Sequence, residues 1–323
     1  FVGGESVSKF EEEFATYTGT KYAVSVSSGN SALQISLMAL GISDNSRVIT
    51  PTNSFIASAN CIRMNHSQPI LADIDTSDGS IDINSVNEKA DAIIPVHIYG
   101  NPCNFDSVQE KADEQKIPII EDACQAHGAI YKNKKVGSFG NISTWSFCQD
   151  KIISTGGEGG MISTNNKNLW LKCWSLKDHG KNYKNIYKKK KGTNFKWLHD
   201  GLGSNYRMTE MQAAIGRQQL KLLDKQIKKR NLIADLYLKG LKDYYLKYDI
   251  LKKPKFKYQT YHLKQNSKKN NQYFHAFYRL NLFINKNKIK QNNLLHQLNK
   301  NKINCGVGSC AEIYREKIFK KSK

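Results

Sequence analysis

The sequence predicts an α/β fold: a mostly parallel mixed sheet sandwiched by helices, with a smaller α+β C-terminal domain. Three observations lead there. Over the first 180 residues, short β-rich apolar runs alternate with helix-period segments, the pattern of strands joined by helical crossovers. The 323 residues are 39% hydrophobic and 24% charged, enough apolar material for one large domain or two smaller ones. No apolar run approaches the roughly 20 residues that a bilayer requires, so a membrane span is excluded.

The elements follow in order along the chain. Phe1-Val2-Gly3-Gly4-Glu5 carries neither a basic n-region nor an apolar h-region, lacks an initiator Met, and runs straight into a helix-like stretch from Val7 to Tyr17. It reads as a piece of a longer chain. Strands are predicted at Tyr22 to Val26, Arg47 to Thr50, Ile70 to Asp73, Ala92 to His97, Pro118 to Glu121 and Ile142 to Phe147, with amphipathic helices at Ser31 to Leu40, Ile56 to Met64 and Phe105 to Gln115. Residues 181–204 are rich in Lys, Asn and Gly without periodicity and read as a long loop that contacts a site. From Thr209 to Tyr237 the apolar positions Met211, Ala214, Ile215, Leu220, Leu223 and Ile227 keep helical spacing, as one long helix or two. Phe274 to Ile284 reads as a strand and Gln291 to Leu298 as a helix. The expected division is a ligand-binding large domain over residues 1–210, then a helical connection and small C-terminal domain over 211–323.

The net charge of +21 is unevenly distributed. Residues 1–180 hold 14 Lys+Arg against 20 Asp+Glu, whereas 181–323 hold 35 against 8. The basic part is equally crowded with Asn, as in Lys268-Lys269-Asn270-Asn271 and Asn299-Lys300-Asn301-Lys302. Lys and Asn enriched together, with few Arg, fit a coding bias better than a phosphate-binding surface, which favours Arg forks and interleaved aromatics. The composition therefore argues against nucleic acid as a partner. Seven scattered cysteines (Cys61, Cys103, Cys124, Cys148, Cys173, Cys305, Cys310) contain no Cys-x-x-Cys pair and read as reduced thiols of a cytoplasmic protein without a metal site.

Three stretches carry chemistry. Ser28-Gly29-Asn30-Ser31 follows a strand and opens an apolar helix, which suits either an anion gathered by free N–H groups at the helix start or an ordinary N-cap. Glu121-Asp122 sits at the carboxyl end of a buried strand, where open α/β sheets bind ligands; such a carboxylate either pairs with a protonated heterocyclic nitrogen or caps the next helix. In Thr144 to Met161 a strand ends at Phe147, Lys151 follows, and Gly156, Gly157, Gly159 and Gly160 surround Glu158. A lysine just past a strand end, beside glycine turns that let backbone approach a ligand, suits an amine held in a crevice for Schiff-base chemistry.

Taken together with Thr50-Pro51-Thr52-Asn53-Ser54-Phe55, Pro95-Val96-His97-Ile98-Tyr99-Gly100, Asp122-Ala123-Cys124-Gln125-Ala126-His127-Gly128 and Asn205-Tyr206-Arg207-Met208, these motifs occur in an order that resembles the DegT/DnrJ-type sugar aminotransferases. The resemblance is dense from about Phe10 to Gln219. It implies a fold type I, pyridoxal 5'-phosphate-dependent transferase. Lys151 then matches the Schiff-base lysine and Asp122 the carboxylate that keeps the pyridinium nitrogen protonated, which makes the ring a better electron sink. Gln125 matches a residue near the cofactor's 3-oxygen, where some relatives have His, and Phe55 an aromatic stacked on the ring. Gly29, Asn30 (where Thr is usual) and Ser31, with Ser146, match the phosphate-binding segment. Asn205 matches an Asn that reaches the phosphate of the neighbouring subunit, which implies a homodimer; its alternative is a turn Asn before a helix.

The resemblance further implies an amino-acid donor, glutamate, and as acceptor a nucleotide-linked 4-keto-6-deoxyhexose or its 3-keto isomer, as in surface-polysaccharide biosynthesis. A branch of the family that removes a sugar hydroxyl carries His at the position of Lys151, so Lys favours transamination over the rival dehydratase. A second rival is a non-catalytic or regulatory relative that binds the cofactor. The Gly156-Gly157 doublet places Glu158 one residue further from Lys151 than in many relatives. The basic loop from Lys181 to Lys196 either steers the nucleotide diphosphate or is a solvated, compositionally biased loop. His179 and Trp197 are read as loop or packing residues.

Overall fold

The computed structural model describes residues 3–187, 197–249, 251–252, 273–307 and 311–319. Helices α1 (Glu5–Thr18), α2 (Gly29–Ala39), α3 (Ala57–Met64), α4 (Phe105–Gln115), α5 (Lys167–Lys177), α6 (Tyr183–Tyr187), α7 (Glu210–Gly240), α8 (Lys242–Leu246) and α9 (Gln291–Lys300) surround and follow the sheet. Its strands are β1 (Tyr22–Val26), β2 (Arg47–Pro51), β4 (Gln68–Ala72), β5 (Ala92–Ile93), β6 (Ile120–Asp122), β9 (Ile142–Ser146) and β10 (Gly160–Thr164). Short pairs are made by β3 (Asn53–Ser54), β7 (Ile130–Tyr131), β8 (Lys134–Lys135), β11 (Leu251–Lys252), β12 (Tyr273–Phe274), β13 (Phe283–Ile284) and β14 (Ala311–Glu312).

In space the sheet runs β1-β10-β9-β6, and the parallel bridges Ile93↔Ile119 and Val96↔Asp122 continue it through β5 to β2 and β4. All these strands run parallel except β10, which lies antiparallel between β1 and β9. The mostly parallel mixed sheet is therefore as the sequence predicts. Because β1, β9, β6, β5 and β2 share one direction, their carboxyl ends reach the same edge, where open α/β sheets place ligands.

Several elements depart from the sequence reading. Strand β10 begins at the last of the glycines around Glu158 and is not among the predicted strands, and α5 carries too little periodic signal to be recognised. The run from Ala92 to His97 is a strand only at β5, and then meets Asp122 through a single bridge. Phe274 to Ile284 is no continuous strand: its two ends pair with different partners, β12 with β7 and β13 with β11, while Phe277 between them adopts a positive φ of 48°. The loop over 181–204 contains α6, and its residues 188–196 lie outside the described residues, as do Cys310 and Lys268-Lys269-Asn270-Asn271. The helical run after Thr209 is the single helix α7, opened by a capping box of Thr209 and Gln212.

The core packs α1 and α7 onto the sheet through aromatics. Phe14 meets Trp145 edge-on at 5.1 Å and Phe147 at 5.4 Å, and all three are buried. Gly216 lets α7 close on α1, because a Cβ there would stand 2.6 Å from the Phe10 ring. Glu210, the first residue of α7, accepts from the N–H groups of Gly4 (2.8 Å), Ser6 (2.8 Å) and Val7 (3.2 Å), so one helix caps the other's start.

Strand β6 is fixed by a buried carboxylate. Glu121, fully buried, accepts from the N–H groups of Gly137, Phe139 (3.0 Å) and Gly140 (3.0 Å), from Ser143 Oγ (3.0 Å) and from His97 Nε2 (2.9 Å). The Cys103 N–H points at His97 Nδ1 (3.1 Å), which makes that nitrogen the acceptor and leaves the proton on Nε2. Burial pushes the Glu121 carboxyl up, but His97 and the N–H groups outweigh it and hold its pKa below the usual 4.5. Glu121→Gln is expected to cost on the order of 3 kcal/mol in urea unfolding, since donors aimed at an anion lose it. A depressed carboxylate stabilises above the unfolded pKa and loses that contribution as pH falls through its folded value. The wild-type advantage over Glu121→Gln should accordingly shrink below about pH 4.5, in the same unfolding series repeated in acid.

Candidate active site at the carboxyl edge of the sheet

Alternation along β6 sends Glu121 and Asp122 to opposite faces. Asp122, 4% exposed, is held from two sides: Ser58 Oγ donates to Oδ2 (2.9 Å) and the Cys124 N–H to Oδ1 (3.1 Å). The Ser58 hydroxyl also lies 2.9 Å from that of Ser54, so β3, which leads into Phe55, is tied to the carboxylate. Phe55 itself is 55% exposed at this edge.

At the end of β1, Ser28 caps α2 by accepting from the Ser31 N–H (3.0 Å). The Ser31 hydroxyl lies 3.0 Å from that of Ser27 and 2.9 Å from that of Ser28. This leaves the Gly29 and Asn30 N–H groups at the helix start without an acceptor among the described residues. The segment is therefore an N-cap that still presents two donors at the positive helix end. Close approach is enforced by glycine. A Cβ on Gly29 would stand 2.7 Å from Ser146 Cβ and 3.2 Å from Cys124 Sγ, and one on Gly160 would stand 2.3 Å from the Ser28 carbonyl oxygen. Register agrees, with Val26, Gly160 and Ser146 aligned across β1, β10 and β9.

After β9 the chain turns on backbone bonds from Phe147 N to Gly159 O (2.8 Å) and from Gln149 N to Gly157 O (2.9 Å). Gly156 (φ 88°) and Gly157 (φ 131°) take conformations that side chains resist, which accounts for the glycine doublet. Buried Ile152 and Ile153 anchor the turn and leave Lys151 at its head, its side chain 12% exposed. Burial disfavours the Lys151 ammonium, whereas Tyr278, Cys124 and Asp150 favour it, and the net direction is upward. Cys124 thus links the site, because its N–H binds Asp122, its sulfur faces Gly29, and its side chain faces Lys151. Gln125, 5% exposed, is oriented by the Tyr99 N–H, which donates to Oε1 (2.7 Å).

The structure therefore gathers Asp122, Gly29, Ser31, Ser146, Lys151 and Gln125 at one edge, with Phe55 beside them and Asn30 at the helix start. Asn205 lies one residue before Tyr206, whose carbonyl accepts from the Ser27 N–H (2.8 Å), but its own partners are not among these residues. It bridges to Asp178 after α5, is exposed, and accepts from Arg207 Nε (3.0 Å). Three residues of the site escape the sequence reading. Tyr278 Oη lies 3.5 Å from Lys151 Nζ and donates to Asp150 Oδ2, while Arg279 Nη2 reaches Asp150 Oδ2 at 3.3 Å. Asp150 has a local signal in its adjacency to Lys151, but Tyr278 and Arg279 are more than a hundred residues away and carry none. His127 is buried against Trp145 and Phe147 (centroids 5.4 and 5.7 Å), and burial, aided by the Lys151 charge, lowers its pKa to about 3.

A mixed α/β sheet with a lysine, a carboxylate and a capped helix start at its carboxyl edge is the layout of a fold type I transferase. The aminotransferase from Psychrobacter cryohalolentis superposes with a TM-score of 0.91 at 36% identity, over 99% of this chain and 80% of that one. GDP-4-keto-6-deoxy-D-mannose-3-dehydratase from E. coli, solved with bound hydrated PLP, gives 0.77 at 26% identity, over 94% and 78%. The chain belongs to the DegT/DnrJ/EryC1/StrS aminotransferase family, whose profile matches residues 1–323. It is 40% identical over 242 residues to GDP-perosamine synthase from Escherichia coli O157:H7, an alignment that covers 74% of this chain and 64% of that protein. The chain thus spans somewhat under two thirds of the length of that curated relative.

Gly29→Ala forces a Cβ into Ser146 and is expected to cost about 1–3 kcal/mol. Gly201→Ala, where a Cβ meets nothing within 4 Å, serves as the control and should leave the denaturation midpoint unchanged.

Proposed function

We propose that this chain is a pyridoxal 5'-phosphate-dependent aminotransferase that moves an amino group from an amino acid, glutamate, to a nucleotide-linked keto-deoxysugar. The observation that carries the reading is the convergence of Lys151, Asp122 and the α2 start with Ser146 at one sheet edge. Their chemistry fits the cofactor. The unpaired N–H groups of Gly29 and Asn30, the positive helix end and the Ser146 hydroxyl suit a phosphate, and the glycines at 29 and 160 keep the cradle clear. Asp122, oriented by Ser58 and the Cys124 N–H, presents a fixed anion to a ring nitrogen, and Phe55 offers an exposed ring for stacking. When bound, the cofactor supplies an electron sink for proton removal beside an amine.

The chain's own residues supply the rest. Lys151 is the group placed to hold and move a proton, at Nζ, because burial limits its access to water and Asp150 and Tyr278 limit its motion. Gln125, pinned by Tyr99, presents its side chain in a fixed direction at the cofactor's edge. Asn205, whose partners are Arg207 and the bridge to Asp178 and not Lys151, is read as completing the phosphate site of a second copy in a homodimer. The 3-dehydratase relative is the rival within the same fold, and a lysine at position 151 favours amine transfer over it. The identities to GDP-perosamine synthase and to a dTDP-sugar transaminase of Streptomyces venezuelae (34% over 242 residues) support a nucleotide-linked sugar as acceptor. We place the enzyme in the cytoplasm, in surface-polysaccharide biosynthesis.

Purified protein given pyridoxal 5'-phosphate should develop visible absorption, and borohydride should fix the pyridoxyl group on Lys151 by peptide mass. Lys151→Ala should abolish both, and Asp122→Ala should weaken retention of the cofactor at least tenfold. A folded wild-type protein that takes up no cofactor refutes the catalytic reading; adduct formation without turnover of any keto-sugar with glutamate favours the non-catalytic relative.

A further inference from the structure

The segment 275–279 comes from the far end of the chain and is fastened at the mouth of the site from several directions. Ala276 N donates to Gly100 O (2.9 Å) and Arg279 N to Tyr99 O (3.1 Å). Arg230 of α7 donates through Nη1 to the carbonyls of Phe277 and Tyr278 (both 3.3 Å), and Asn231 Nδ2 donates to the His275 carbonyl (3.1 Å). Gly100 makes room for this, since a Cβ there would stand 2.9 Å from Tyr278 N. The result is a buried tyrosine whose hydroxyl lies among three charged side chains.

That hydroxyl has its polarity set. Tyr278 Oη gives its proton to Asp150 Oδ2, so it offers only lone pairs to Lys151 Nζ (3.5 Å) and to Arg279 Nη2 (3.3 Å). Asp150 is divided between the same partners: Oδ1 lies 3.8 Å from Lys151 Nζ, and Oδ2 takes Tyr278 and Arg279. The Lys151 ammonium also lies 4.8 Å from the centre of the Tyr278 ring. The remaining titratable and charged groups around it are Cys124 and His127 from the segment after β6, with Arg230 behind Tyr278.

We propose that Tyr278 is a positioning residue for Lys151, locked by Asp150 and Arg279, so that the docked segment 275–279 sets where the reactive amine points and how readily it gives up its proton. The proposal rests on the reading of Lys151 as the reactive amine. It gives the distant C-terminal segment a direct role at the site: Lys151 is held by a group that arrives only when that segment is docked. It also assigns Asp150 a task that its exposed position and its distance from Asp122 along the chain leave otherwise open.

The test is the pH dependence of Lys151 acetylation by acetic anhydride in the full chain, freed of cofactor with hydroxylamine and read by peptide mass against the exposed Lys9. Asp150→Asn removes an anion beside the ammonium, so its labelling midpoint should fall by about one pH unit, roughly a tenfold faster reaction below the midpoint. Tyr278→Phe keeps the ring but removes the hydroxyl, both the lone pairs offered to Lys151 and the proton given to Asp150; the second loss offsets part of the first, so its midpoint should fall in the same direction by a smaller amount. A tyrosine that merely packs would leave the Phe variant at the wild-type midpoint, and that result overturns the proposal whether or not Asp150→Asn shifts. If Tyr278→Phe fails to fold, an unmoved midpoint in Asp150→Asn overturns it alone. Uptake of pyridoxal 5'-phosphate by the wild type is measured separately, so loss of the functional reading and loss of this one are distinguishable.

Discussion

The buried carboxylate of Glu121 is the interaction on which the rest of the site depends. Five donors converge on it, three of them backbone N–H groups of the turn that leads into β9, and one the His97 ring from the line that extends β5. Three strands are thereby clamped in register by one side chain. The neighbouring residue then has no freedom of direction, because strand geometry sends Asp122 to the opposite face, where Ser58 and the Cys124 N–H receive it. Two buried anions are thus consecutive residues on opposite faces of β6, one closed in by five donors and the other at the carboxyl edge of the sheet.

Close backbone approach is the second constraint. The antiparallel strand β10 lies between β1 and β9, and Gly160 at its start permits the Ser28 carbonyl to pass where a side chain would be. Gly29 permits the same against Ser146. Behind this edge, the Phe10, Phe14, Trp145 and Phe147 cluster stiffens β9 up to the turn that carries Lys151. Helix α7 holds α1 against that cluster by capping its start with Glu210 and by the Glu13–Arg217 pair at 2.7 Å. Rigidity in the aromatic layer is what lets a lysine on a turn occupy a defined place.

Much of this was legible in the residues. The parallel strands β1, β2 and β9 are short and buried almost throughout, β4 and β6 carry or follow short apolar runs, and α2, α3, α4, α7 and α9 carry either amphipathic periodicity or clear caps. Strand β10 was not legible, because Gly159-Gly160 at its start is what a turn looks like, and its pairing is decided by the two strands that flank it. Helix α5 is not legible because its apolar residues Leu169, Trp170, Leu171, Trp174 and Leu176 are spread around the helix and form no single stripe. The Phe274 to Ile284 run alternates like a strand, yet docking on Gly100 bends it at Phe277. There a long-range contact overrides local propensity.

By itself the sequence determined the α/β class, the lysine after a strand end, the acid at the carboxyl end of another strand, and the capped helix start. Each is a local matter of periodicity, capping chemistry or glycine tolerance within a few residues. The tertiary structure alone decided which of two adjacent acids faces the cleft, that Cys124 stands between Asp122, Gly29 and Lys151, and that Tyr278 and Arg279 reach Asp150 across more than a hundred residues. Those are outcomes of sheet order and loop docking. They depend on which surfaces bury each other, and no local pattern encodes that.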